Sequence, residues 1–247
     1  MIARFAVSSK GLVKRYGKRR ALDGFTLDVP EGCVMGLVGP NGAGKTTWMM
    51  AAAGLVRTDA GTVGLFGTSH PFDAALHSGR LAILPQDSEL PLESTAEGFL
   101  CGLARLQGLP SRVVHESVAA VLKAVNLADR AKASIRSLSH GMRKRLMAAQ
   151  CFLGEPDLVL LDEPMNGLDP EEAVRFRNLI LSRREGCTVV VSSHNLADLE
   201  KLCSHIAFVR DGKVVKTSAL KDLTAGGASL EDVYLDCRKR FEFDILA

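Results

Sequence analysis

Residues 39 to 47 read GPNGAGKTT, which sets Gly39, Gly44, Lys45 and Thr46 in the spacing G-x-x-x-x-G-K-[ST]. Glycines in such a loop let backbone N–H groups turn inward around phosphate oxygens. A helix beginning at the lysine adds the partial positive charge of its N-terminus. Pro40, Asn41, Gly42 and Ala43 then form the body of the loop. Lys45 is placed to reach outer phosphates, and the hydroxyl of Thr46, beside Thr47, can ligand Mg²⁺. Residues 158 to 164 read LVLLDEP, four apolar residues followed by two carboxylates. Asp162 at a strand tip suits Mg²⁺, usually through water. Glu163, one residue further into the crevice beyond the strand ends, suits the polarisation of an attacking water.

These groups need a strand before the loop and a helix after it. CVMGLV, residues 33 to 38, is a short apolar run of the kind found in buried parallel strands. TTWMMAAAGLV, rich in Ala and Met, then favours a helix. By itself the loop says only that a nucleotide phosphate binds, since kinases, GTPases and ATPases share it. A third stretch, SLSHGMRKRL at residues 137 to 146, reads as a helix start. Ser139 caps it, Gly141 leaves room in the first turn, and Arg143, Lys144 and Arg145 form a wet face. Whether an anion docks there is left open by the stretch alone.

Taken in order, the motifs resemble those of an ABC-type ATPase, the nucleotide-binding subunit of an ABC transporter. The resemblance runs from about residue 10 to 235, nearly the whole chain. GPNGAGKTT resembles the Walker A motif and LVLLDEP the Walker B motif with its catalytic glutamate. LPQD, with Gln86, resembles the Q-loop. NGLDP, with Asp169, resembles the D-loop. VVVSSHNL, with His194, resembles the switch-histidine loop. Tyr16 in KRYGKRRAL matches the aromatic that stacks on adenine. Leu138, Ser139, His140, Gly141 and Met142 stand where the family's signature L-S-G-G-Q does, with His140 and Met142 replacing a glycine and the glutamine. Standing alone, Gln86, His194 and Tyr16 would be an exposed amide, a strand-end imidazole and a half-buried ring.

The resemblance implies an α/β fold: a RecA-like P-loop NTPase core with an antiparallel β subdomain and a helical subdomain. One domain spans 1–235, with about 1–87 and 154–217 as core and β subdomain, about 88–153 helical, and 236–247 a tail. It implies ATP and Mg²⁺ as cofactors, with Mg²⁺ held by Thr46, Gln86 and Asp162. Ser139 and the Gly141 N–H are then expected to meet the γ-phosphate of ATP held by another subunit. In a homodimer or a heterodimer, ATP glues two such chains head to tail and hydrolysis loosens them. Glu163 orients or deprotonates the water, His194 holds water and γ-phosphate, Gln86 senses the γ-phosphate, and Asp169 links the two sites. The other expected partner is an integral membrane permease, docked near Gln86 and the helical part. SLEDVYL, near the C-terminus, resembles the end of ATPases serving ABC-2 type exporters, which favours export.

Composition sets the remaining bounds. The chain has 247 residues, 47% hydrophobic and 24% charged, with a net charge of +3. That is an ordinary globular balance, too mild to announce nucleic acid. Lys10, Lys14, Arg15, Lys18, Arg19 and Arg20 crowd one stretch, read as a solvated loop or strand face lacking the interleaved aromatics of a single-strand binder. The six cysteines show no C-x-x-C spacing, so a zinc site is not expected. Cys151 and Cys187, beside apolar residues, read as buried thiols of a reducing compartment. No apolar run approaches the ~20 residues of a membrane span, and the first residues lack the apolar core of a signal peptide. The expectation is a cytoplasmic chain, held at the inner face of a membrane through its permease. The competing reading is a soluble ABC ATPase acting on ribosomes or nucleic acid. It lacks the second P-loop of the translation-factor type and the coiled coil of the chromosome-maintenance type.

Three local expectations complete the reading. Ser94 with Glu97 makes a capping box. Val114, Val118, Val121, Leu122 and Val125 make an apolar helix stripe for the core. Asp211-Gly212 makes a hairpin turn between IAFVR and KVVKT.

Overall fold

The computed structural model describes residues 4–68, 79–183 and 186–243. Its strands form two sheets. One is antiparallel, in the order β2 (Arg19–Pro30), β1 (Phe5–Tyr16), β4 (Ala60–Leu65). The other has six strands in the order β5 (Leu81–Leu84), β6 (Leu158–Asp162), β7 (Thr188–Ser192), β3 (Val34–Val38), β8 (His205–Arg210), β9 (Lys213–Ala219). All its pairings are parallel except β8 with β9. Every residue of β3, β6 and β7 is buried, as continuous apolar runs require when both faces of a parallel sheet are covered.

Two-residue alternation along these strands feeds two separate cores. Met35, Leu37, Leu158, Leu160 and Val190 face one core, shared with β1 and β2. Helix α1 (Lys45–Ala52) fills it with Trp48, whose indole N–H donates to Ser9 Oγ at 2.9 Å and whose ring stacks on Phe25. Val34, Val38, Val159, Leu161, Val189 and Val191 face the other core. That core is closed by the helices α2 (Ala96–Leu106), α3 (Ser111–Ala124), α4 (His140–Gln150), α5 (Pro170–Arg183) and α6 (Leu196–Leu202). The short α7 (Leu220–Leu223) and α8 (Leu230–Phe243) follow β9, and Leu230 and Cys237 join the same core.

The expected stripe on α3 is core: Val114, Val118, Val121, Leu122 and Val125 are all buried. The Asp211-Gly212 turn joins β8 to β9 with φ of 48° and 73°, the left-handed pair such a hairpin needs. The cap is shifted by one residue, and with Gly98 at the third helical position the expected reciprocal box does not form. Thr95, not Ser94, caps α2 and accepts the Gly98 N–H at 3.0 Å, while Ser94 Oγ turns to the Thr95 carbonyl. Sequence order could not choose between two adjacent hydroxyls. The choice follows the backbone, which pairs Thr95 with Ser134 in an isolated bridge. All six cysteines are buried, and burial pushes the Cys151 thiol up to about 12. Among the described residues no helix is long and apolar enough to cross a membrane.

Candidate active site

The site lies where β3 and β6 end, the crevice beyond the strand tips that open parallel sheets offer to ligands. β3 runs into Gly39, and α1 begins at Lys45. Gly44, immediately before α1, has φ of 110°, and a Cβ there would stand 2.6 Å from the Ala21 carbonyl oxygen. Only glycine fits so tight a backbone approach. The Asp211-Gly212 turn braces the loop from outside. The Gly212 N–H donates to the Ala43 carbonyl, and the Asp23 N–H to the Gly212 carbonyl, both at 2.9 Å. The loop is therefore tied by a backbone bond to the turn, and the turn in its own right to β2.

Lys45 is buried, and its ammonium donates to the carbonyls of Gly39 at 2.7 Å and Pro40 at 3.2 Å. Burial lowers its pKa, and the charges of Glu163 and Asp162 pull the other way. A polyanion entering the loop would add a further favourable charge for this buried cation. The Thr46 hydroxyl donates to Asp162 Oδ2 at 2.5 Å. Parallel pairing of β6 with β7 sets Asp162 opposite Ser192. The Ser192 hydroxyl donates to Asp162 Oδ1 and accepts the Glu163 N–H at 2.8 Å. Glu163 adopts φ of 49°, a left-handed conformation costly for a non-glycine residue. Its side chain is only 8% exposed; Oε2 lies 3.0 Å from His194 Nδ1, while Oε1 is buried without a hydrogen-bond partner. A strained backbone and a carboxylate oxygen without a protein donor together mark Glu163 as a candidate functional group.

A cleft of about 400 Å³ is lined by Tyr16, Arg19, Ala21, Asn41, Gly42, Gly44, Lys45, Thr46, Thr47, Gln86, Asp162 and Glu163. Tyr16 is half exposed at its mouth, and Gln86, exposed, follows β5 into it. His194 reaches the site through Glu163, from the residue before the Asn195 cap of α6. Asp169 lies elsewhere and caps α5, its Oδ1 accepting the Glu172 N–H at 2.9 Å.

Ser139 and Gly141 are not among the residues lining this cleft. Ser139 caps α4, accepting the Met142 N–H at 3.2 Å, and it stands exposed beside exposed His140. His140 and Gly141 both carry negative φ as the first residues of α4, so the replaced glycine imposes no backbone strain. The expectation of a wet face fails at Arg145, which is 5% exposed. Its guanidinium donates to the carbonyls of Val125 and Asn126 and pairs with Glu172 at 2.8 Å. Lys144 donates to the Asn166 carbonyl at 2.5 Å. The signature helix is thus bolted to α3 on one side and to the segment around Asp169 on the other.

Three participants escaped the sequence reading: Ser192, Arg19 and the Arg145–Glu172 pair. Ser192 had a signal, a hydroxyl closing an apolar run. The other two have none short of the fold, because their partners lie 23 and 27 positions away in sequence.

Comparison with known proteins agrees with this geometry. The family profile described as ABC transporter matches residues 22–166. The chain is 34% identical over 236 residues to Nod factor export ATP-binding protein I of Ralstonia nicotianae, covering 93% of this chain and 73% of the relative. It is 35% identical over 218 residues to the uncharacterized ABC transporter ATP-binding protein YhcH of Bacillus subtilis, covering 86% and 70%. A solved ATP-binding subunit of an ABC transporter superposes with a TM-score of 0.85 at 27% identity, over 94% of this chain and 99% of that one. A P-loop braced over two strand-end carboxylates, in a chain with these relatives, makes the protein a member of the ABC transporter family: an ATP-binding, ATP-hydrolysing subunit that powers transport.

Proposed function

We propose that two copies of this chain close head to tail over two ATP molecules and drive an exporter through a membrane permease. The observation carrying this reading is the exposed Ser139 helix start, which stands outside its own chain's nucleotide cleft while presenting unpaired N–H groups. It is built to receive an anion, and a second copy's γ-phosphate is the anion that completes it.

Within the cleft, the backbone of residues 39–47 cradles the phosphates, Lys45 takes the outer ones, and Tyr16 stacks on the base. Thr46, Asp162 and Gln86 fit a divalent cation. The Thr46 hydroxyl already donates to Asp162 at 2.5 Å, and all three line the same cleft. A divalent cation held by these residues would supply neutralisation of phosphate charge. Glu163, its free Oε1 facing no protein donor, accepts the proton of the attacking water, and His194 holds the other carboxylate oxygen in place. Asp169 ties the start of α5 to the opposed site. Residues of about 88–153 move as a helical unit against a core of about 1–87 and 154–217. The permease docks beside Gln86 and holds the chain at the cytoplasmic face. Export is favoured by the SLEDVYL helix, α8, and by relatives named for Nod factor export.

The test is light scattering of Glu163→Gln with and without ATP and Mg²⁺. The expected result is an ATP-dependent dimer that Ser139→Arg abolishes, the wild type staying monomeric. Glu163→Gln that binds ATP yet remains monomeric would overturn the homodimer.

A further inference from the structure

The basic stretch of residues 10–20 turns out to be the β1–β2 hairpin, and its charges are not equivalent. Arg20 is tied to Asp23 at 2.6 Å, and Lys14 is tied to the Arg57 carbonyl and, at 3.8 Å, to Asp59. Among the described residues no carboxylate comes within ion-pair distance of Arg19. Its Nη2 instead donates to the carbonyl of Gly42 at 3.0 Å, inside the phosphate loop. The loop leaves room for it. Gly42 has φ of 81°, and a Cβ there would stand 2.4 Å from that nitrogen. Arg19 also lines the nucleotide cleft, and it is the cross-strand partner of Tyr16. Directly opposed residues of an antiparallel pair project to the same face, with Cβ atoms about 5 Å apart. Ring and guanidinium therefore enter the cleft as neighbours.

We infer that Arg19 is a nucleotide-binding residue that pairs with the α-phosphate. The inference rests on the reading of this cleft as the ATP site with Tyr16 at the base. The phosphate nearest a base stacked on Tyr16 is the α-phosphate, and Arg19 stands beside that ring. The outer phosphates belong to Lys45. One Arg19 donor is committed to Gly42, which fixes the fork, and its other N–H groups remain for phosphate oxygens. The Gly42 contact also orders the loop before the nucleotide arrives, so binding pays less to immobilise the guanidinium.

The experiment is titration calorimetry on the full chain, with ATP and ADP bound directly and AMP and adenosine as competitors. Arg19→Ala is expected to weaken ATP, ADP and AMP alike by about tenfold, the size of a lost charge-assisted hydrogen bond, and to leave adenosine unchanged. Arg19→Lys, which keeps the charge and loses the fork, is expected to fall between. Equal affinity of Arg19→Ala and wild type for all four ligands overturns the proposal. So does a loss confined to ATP, which would place the side chain at the γ-phosphate, or a loss equally large for adenosine, which would place it at the base. Lys45→Ala serves as the independent control. If it fails to weaken ATP, the reading of the loop falls, whereas a loss there with none at Arg19→Ala sinks only the role of Arg19.

Discussion

The nucleotide cleft and the helix start at Ser139, which the proposed dimer would join in one reaction, are built in opposite ways. At the cleft, Lys45, Asp162 and Glu163 are buried at 6%, 3% and 8% exposure, and fixed hydrogen bonds surround them. At the helix start, Ser139 and His140 are exposed, and only the far side of α4 is anchored, through Arg145 and Lys144. A ligand that must be polarised needs a dry, preorganised site. A surface that must meet and leave a second molecule needs its orientation fixed from behind and its face left bare. The Arg145–Glu172 pair does the first without obstructing the second.

The sharpest way to break this comparison is to damage each region and measure both properties. Lys45→Ala should lower the affinity of the monomer for ATP by roughly a hundredfold, having removed several charge-assisted bonds at once. Ser139→Arg should leave that affinity within about twofold and abolish only dimerisation, because hydrogen bonds across a gap cost nothing in the separated chain. If Ser139→Arg also weakened ATP binding to the monomer, the two regions would not be separate half-sites.

A smaller effect sharpens the account of how the helix start is held. Arg145→Met strips one partner from a largely buried ion pair and should destabilise the fold by about 3 kcal/mol in urea unfolding. A loss below about 0.5 kcal/mol would make Arg145 a surface residue after all, in the range usual for exposed pairs. The smallest expected effect separates two adjacent hydroxyls at the start of α2. Thr95→Ala should cost about 1 kcal/mol, and Ser94→Ala less than half of that, by the same measurement. The reverse order would restore the Ser94 cap that the sequence favours.

Much of the protein was readable from the order of its residues. The phosphate loop, the two carboxylates and the strands beneath them are local: each needs only a run of neighbouring residue types, which is what a sequence displays. The apolar stripe of α3 and the Asp211-Gly212 turn were readable for the same reason, period and φ preference being properties of short segments. What only the tertiary structure decided is every contact made across the sheet or between helices. Ser192 holds Asp162 because β7 pairs with β6 in that register. Arg145 is buried because the end of α3 and the start of α5 close over it, although the same three basic residues on an isolated helix would all face water. Arg19 reaches Gly42 because a hairpin folds back against a loop from another layer. Burial is a property of what packs against a residue, and for these side chains the partners are chosen by the fold rather than by the neighbours along the chain.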